Sequence, residues 1–145
     1  MSTENLMARA EIGIYAPVYK VWETLIDPES NNKFMFGSNV ESDWKEGSPI
    51  TWRGEWQGHP YEDKGKILKM VPGKTLQYTH YSEMMSNDDS PENYRTVTID
   101  LSDSNDQTRV SLKQDKNKTE KDREDSEKNW NMMLQSLKEL IEKDN

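Results

Sequence analysis

Trp130-Asn131-Met132-Met133-Leu134-Gln135-Ser136-Leu137-Lys138-Glu139-Leu140-Ile141 is the stretch that decides the fold. Trp130, Met133, Leu134, Leu137, Leu140 and Ile141 recur at three and four residues, the spacing of one apolar face of an α-helix. No other part of the chain carries a stripe of that length. Met133 falls on the core face and Met132 on the solvent face. Thr119 with Asp122 forms a weak capping signal near the helix start. The charged run from Lys116 to Lys128 has no apolar face. The first turns, up to Asn129, are therefore expected to project into solvent or to fray.

Most of the chain before this helix alternates in polarity, as strands do. Ala8, Ala10, Ile12 and Ile14 share one side of a first strand, which Ala16-Pro17 stops. Pro17 suits the start of a helix, and Val18, Val21, Trp22, Leu25 and Ile26 follow at helical spacing. Trp22 is expected to be buried beneath it. Asp27-Pro28 ends that helix, and residues 28–33 allow one further turn. Phe34-Met35-Phe36 reads as an exposed apolar cluster. Strands are then expected at Val40–Lys45, Pro49–Trp56, Tyr61–Met70, Thr75–Ser82, Tyr94–Leu101 and about Thr108–Gln114. Gln57-Gly58 signals a hairpin turn, and Pro72-Gly73 another. Met84 to Glu92 is polar and flexible in composition. Short turns between sequential strands make an antiparallel meander. Its apolar face needs a cover, and only the C-terminal helix is long enough. The expected class is α+β, with a curved antiparallel sheet of about seven strands gripping that helix. One or two short helices follow the first strand.

The chain has 145 residues, which suits one domain spanning 1–145, with 1–6 expected to be flexible. Apolar and charged residues are each 32%, but five Trp, six Tyr and eight Met sit largely in periodic segments, which argues for a folded core. The net charge of −8 repels phosphate backbones and anionic headgroups. Nucleic acid and membrane insertion are not expected. The absence of cysteine excludes disulfides, thiolate zinc sites and cysteine nucleophiles. No signal-peptide pattern opens the sequence, and no apolar run nears the roughly 18 residues of a membrane span. A cytoplasmic location is the expectation.

Several motifs resemble a known family. They are Ala16-Pro17, Val21-Trp22-Glu23 and Leu25 through Asp27-Pro28-Glu29, then Asp43-Trp44-Lys45-Glu46-Gly47-Ser48-Pro49-Ile50 and Trp52-Arg53-Gly54-Glu55. Asp63-Lys64-Gly65-Lys66-Ile67-Leu68, Leu76-Gln77-Tyr78-Thr79-His80, Thr108-Arg109 and the Trp130…Leu134…Leu137-Lys138 stripe follow in order. The chain thereby resembles the helix-grip, START-like (SRPBCC, Bet v-like) superfamily. Within it, the chain is similar to the family named for the activator of the ATPase of heat-shock protein 90. The resemblance implies a cavity between sheet and long helix, where relatives carry lipids, hormones or polyketides. Some relatives are enzymes. The family's name comes from a cochaperone domain, which implies a chaperone as a further possible partner.

The candidate site residues are aromatic or polar residues on the expected inner faces. Trp52, Trp56, Tyr61 and Tyr78 are candidate walls of a cavity, because ligand pockets are mostly apolar with a few orienting polar groups. Each also fits an ordinary sheet. Asp63, His80, Arg95 and Gln114 share those faces and either hold a ligand's polar group or satisfy one another. Met133 and Leu137 face them from the helix. Met35, Met84 and Met85 could form an adaptable mouth. Gly54 and Gly65 permit bends. His59 is expected in solvent, and neither histidine has metal-ligand spacing. Glu62 and Asp63 point to opposite faces and make no acid–base dyad. No nucleophile elbow or phosphate loop occurs. No catalytic residue, metal or cofactor is assigned. The leading expectation is binding of a hydrophobic, ring-containing small molecule, with a ligand-sized void at the wider end of the grip. The alternatives are a cyclase- or hydrolase-type enzyme using His80 and Asp63, and a cochaperone-like interaction domain.

Overall fold

The computed structural model describes residues 6–35, 37–82, 89, 90 and 93–143, with the backbone alone for Trp56. Residues 1–5, Phe36, Met84 and Met85 lie outside the described residues. Leu6, expected in a flexible lead-in, instead begins the first strand.

The elements in chain order are β1 (Leu6–Ile14), α1 (Val18–Leu25), α2 (Pro28–Phe34), β2 (Asn39–Ser42), β3 (Pro49–Trp56) and β4 (His59–Val71). They continue with β5 (Thr75–His80), β6 (Arg95–Ser104), β7 (Gln107–Asn117) and α3 (Glu120–Lys143). The strands form one seven-stranded sheet in the order β1-β7-β6-β5-β4-β3-β2, and every pair is antiparallel. The curved sheet, early short helices and long last helix make the helix-grip fold.

Local chemistry accounts for the joints. Gln57 and Gly58 both adopt left-handed backbone, φ 52° and 82°, between Trp56 and His59, which face each other across the hairpin. Positive φ at both central positions is what a two-residue hairpin turn requires, and Gly58 meets it without strain. Pro17 sits immediately before α1 in extended backbone. Asp27 caps α2, accepting the Ser30 N–H at 3.1 Å, with Pro28 in the first turn. Thr119 caps α3 by accepting the Asp122 N–H at 3.1 Å.

The core lies between the concave sheet face and the helices. Ala8, Ala10 and Ile14 of β1, Val97, Ile99 and Leu101 of β6, and Val110 and Leu112 of β7 are buried against Met133, Leu134, Leu137 and Ile141 of α3. Trp22 is buried with Val21 and Leu25, as their spacing predicts. The ordinary alternation of the strands thus delivers one continuous apolar surface.

Four expectations need correction. Phe34 is buried and Met35 half-buried, because α2 turns this face toward α3. Trp44 is not in a strand. β2 ends at Ser42, and Trp44 lies beyond it at φ 56°, its N–H donating to Ser42 Oγ at 3.0 Å. Lys116, expected at the edge of a charged run, ends within β7 beside buried Asn117. The opening turns of α3 are docked. Ser126 is buried, its hydroxyl donating to Asn117 Oδ1 at 2.8 Å, and Glu127 accepts the Arg9 N–H at 3.0 Å.

Among the described residues, no helix is long and apolar enough to cross a membrane.

Candidate functional site

β3, β4, β5 and β6 carry matched inner rows. Trp52 lies across from Asp63, Tyr78 across from Ile67 and Val97, and His80 across from Arg95. Trp52 is the hinge of this surface. Its ring is tilted against Tyr78 at 5.2 Å, and lies 5.0 Å from the His80 ring in an edge arrangement.

On the Tyr78 side lies an apolar recess. Its walls are Trp52 and Ile50 of β3, Leu76 and Tyr78 of β5, Ile99 of β6 and Met133 of α3. Asn31 and Phe34 of α2 close it, with Met35, Leu25 and Trp44. None of these side chains is charged. Asn31 and Phe34 stand three residues apart on the capped helix, so they share its inward face. Asn31 is only 6% exposed, and its Oδ1 has no hydrogen-bond partner among the described residues. The Tyr78 hydroxyl makes no hydrogen bond to another described residue, and burial pushes its pKa well above the ordinary tyrosine range.

The void expected at ligand size is much smaller. The recess holds about 20 Å³ of open space, room for about one water. Including the part open to solvent, it encloses about 350 Å³. Large side chains have filled the rest: the Trp52 and Tyr78 rings close from the sheet, and Phe34, Met35 and Met133 from the helical side.

On the His80 side the inner face is polar and largely satisfied. His80 Nε2 and Asp63 Oδ2 are 2.9 Å apart, both partly buried. Gln114 donates to the Asp115 carbonyl at 2.6 Å and accepts the Trp130 indole N–H at 3.1 Å. Arg95 is partly buried. Burial lowers its pKa, against the opposing pull of Asp122 and Asp115.

Of the ten candidate residues, Trp52, Tyr78 and Met133 come together on the recess. Asp63, His80 and Arg95 lie beside it, Gln114 lies across from Val97 farther along the Tyr78 row, and none of the four lines it. Tyr61 reaches away to share a 2.6 Å hydrogen bond with Ser38. Leu137 is fully buried core beneath α3. The Trp56 side chain lies outside the described residues. The sequence reading passed over Asn31 as a wall residue and placed Phe34 outside. The i, i+3 pair on a capped turn was the signal available for both.

A second, wide surface groove of about 630 Å³ lies where β1 leads into α1, and includes Tyr15, Pro17, Tyr19, Asp103 and Asp106. Among the described residues, no three metal-ligating side chains gather closely enough to hold an ion.

No curated protein matches the sequence. Among solved structures, ChR145 from Cytophaga hutchinsonii is 48% identical, with a TM-score of 0.86 over 99% of this chain and 98% of that one. MLL2253 from Mesorhizobium loti, at 18% identity and TM-score 0.78, covers 97% of this chain and 99% of its own. The Aha1 dimer from Colwellia psychrerythraea gives 21% identity and TM-score 0.72, over 94% of this chain and 96% of that one. The last two show likeness of fold alone. The family described as Activator of Hsp90 ATPase homolog 1-like protein matches residues 15–142. With that match and the 48% identical relative, the chain belongs to the Activator of Hsp90 ATPase homolog 1-like family.

Proposed function

We propose that the domain binds an apolar, ring-containing small molecule in the recess between α2, the sheet and α3. The observation that carries this reading is a charge-free recess walled by Trp52, Tyr78, Trp44, Phe34 and two methionines. Such a surface favours apolar, polarisable ligands. Entry of a ring requires the walls to part. Met35, half-buried and just past the end of α2, is the side chain suited to move, because methionine is unbranched and adaptable. Trp44 stands beside it on a loop. Binding is favoured over catalysis because the Asp63–His80 pair is engaged internally and set beside the recess rather than on its wall.

The test is an NMR titration of the indole N–H signals with a flavonoid, a sterol and a fatty acid. The flavonoid or the sterol should shift the Trp52 and Trp44 signals and raise the Tm, with the acyclic fatty acid binding more weakly, and Met35→Ala should change the affinity without unfolding the protein. If none shifts any indole signal or the Tm up to its solubility limit, the binding reading falls.

The second reading is a protein-interaction domain with a cochaperone-like role. It is favoured by the wide groove, where Tyr19 is 67% exposed beside Asp103 and Asp106. The charge and the aromatic face suit a partner segment carrying Lys or Arg. A Lys/Arg-bearing peptide should bind the wild type and bind Tyr19→Ala more weakly.

A further inference from the structure

We propose that the recess selects an uncharged ligand bearing a ring hydroxyl, with Asn31 as the hydrogen-bond partner of that hydroxyl. The inference rests on the reading of the recess as a binding site, and it names the chemistry the ligand must carry.

Three observations lead to it. Asn31 Oδ1 is a buried acceptor with no partner among the described residues, in a lining that carries no charge. Buried polar groups are nearly always paired, and one left bare at a cavity wall marks where a partner belongs. A hydrocarbon placed there would leave the amide bare, whereas an O–H would donate to it. A hydroxyl also accepts, so it suits the amide from either end.

Charge is excluded. No Lys, Arg or His lines the recess, so an anion would lose its water without gaining a counter-ion. The same environment holds the Tyr78 phenol in its neutral form.

The experiment titrates the protein with three probes of one shape, naphthalene, 2-naphthol and 2-naphthoate, followed by NMR. In the wild type, 2-naphthol should bind at least about tenfold tighter than naphthalene, and 2-naphthoate more weakly than 2-naphthol. At saturation the Asn31 side-chain amide signals should move downfield with 2-naphthol and show no such hydrogen-bond shift with naphthalene. In Asn31→Leu the advantage of 2-naphthol should fall to within about threefold. Asn31→Ala repeats the test with less bulk, should leucine disturb α2. Equal binding of naphthalene and 2-naphthol by the wild type would overturn the hydroxyl inference, leaving Asn31 to a water, while the binding reading stood. Tighter binding of 2-naphthoate would also overturn it. If no probe binds and the flavonoid, sterol and fatty acid also fail, the binding reading itself falls, and this inference with it.

Discussion

The carboxylate of Glu142, in the last turn of α3, accepts the backbone N–H of Tyr15 at 2.9 Å. Glu127 does the same for Arg9 at 3.0 Å, and Lys138 donates to the Gly13 carbonyl at 2.7 Å. β1 is an edge strand, and these side chains occupy backbone groups that another chain would otherwise pair with. The long helix therefore both fills the sheet and covers one of its edges.

That contact is pH-dependent. Lys138 at 2.7 Å, and next the Tyr15 N–H, hold the Glu142 carboxyl below the ordinary glutamate value of 4.5. A carboxylate depressed in the folded state adds stability that is fully present above its unfolded value. The contribution is lost as pH falls below 4.5 through the folded value. Denaturant melts between about pH 3 and pH 7 should show Glu142→Gln losing stability at neutral pH and converging on the wild type in acid. A constant difference across that range would refute the assignment.

Gly65 of β4 leaves no room for a side chain against the backbone of β5. A Cβ there would lie 1.7 Å from the Thr79 carbonyl oxygen, a backbone atom that has no rotamer to escape into. Gly65→Ala should cost about 3 kcal/mol, the upper part of the range for overpacking. Urea melts measure it, and a loss below about half a kcal/mol would show that the strands separate easily.

Asn117 joins three elements. Its amide donates to the Leu6 carbonyl at 2.8 Å, and its Oδ1 accepts from Ser126 at 2.8 Å and from Gln114 at 3.4 Å. Asn117→Ala leaves the buried Ser126 hydroxyl and the part-buried Leu6 carbonyl without this partner and should cost about 1–3 kcal/mol. Ser126→Ala should cost less. Hydrogen exchange should accelerate first in the opening turns of α3, and unchanged protection there would contradict the docking role.

Leu137 is fully buried at the middle of the α3 stripe. Leu137→Ala should cost about 2–5 kcal/mol by chemical denaturation, through lost burial and the cavity left behind. A loss below about half a kcal/mol would mean that the helix does not rest on the sheet.

The sequence by itself determined the elements and the sides they bury. The Trp130–Ile141 stripe, the alternation of β1 and β3, Gln57-Gly58 and the Thr119 cap are local patterns, and each reports its own backbone. Those patterns also carried the order of elements, from which the grip of sheet on helix follows. Tertiary structure decided what no local pattern contains. Asn31 and Phe34 sit on a seven-residue helix, too short for periodicity to tell inside from outside, and only packing against α3 turned them inward. Trp44 left its strand one turn early for a backbone conformation that the alternation does not encode. The polar start of α3 lacked an apolar face, so its docking through Ser126 and Glu127 depended on partners far away in the chain. The size of the recess was decided last. The sequence supplied its aromatic walls, but the space left between them is set by how side chains from three strands and four helical or loop segments interdigitate, and it closed to about 20 Å³.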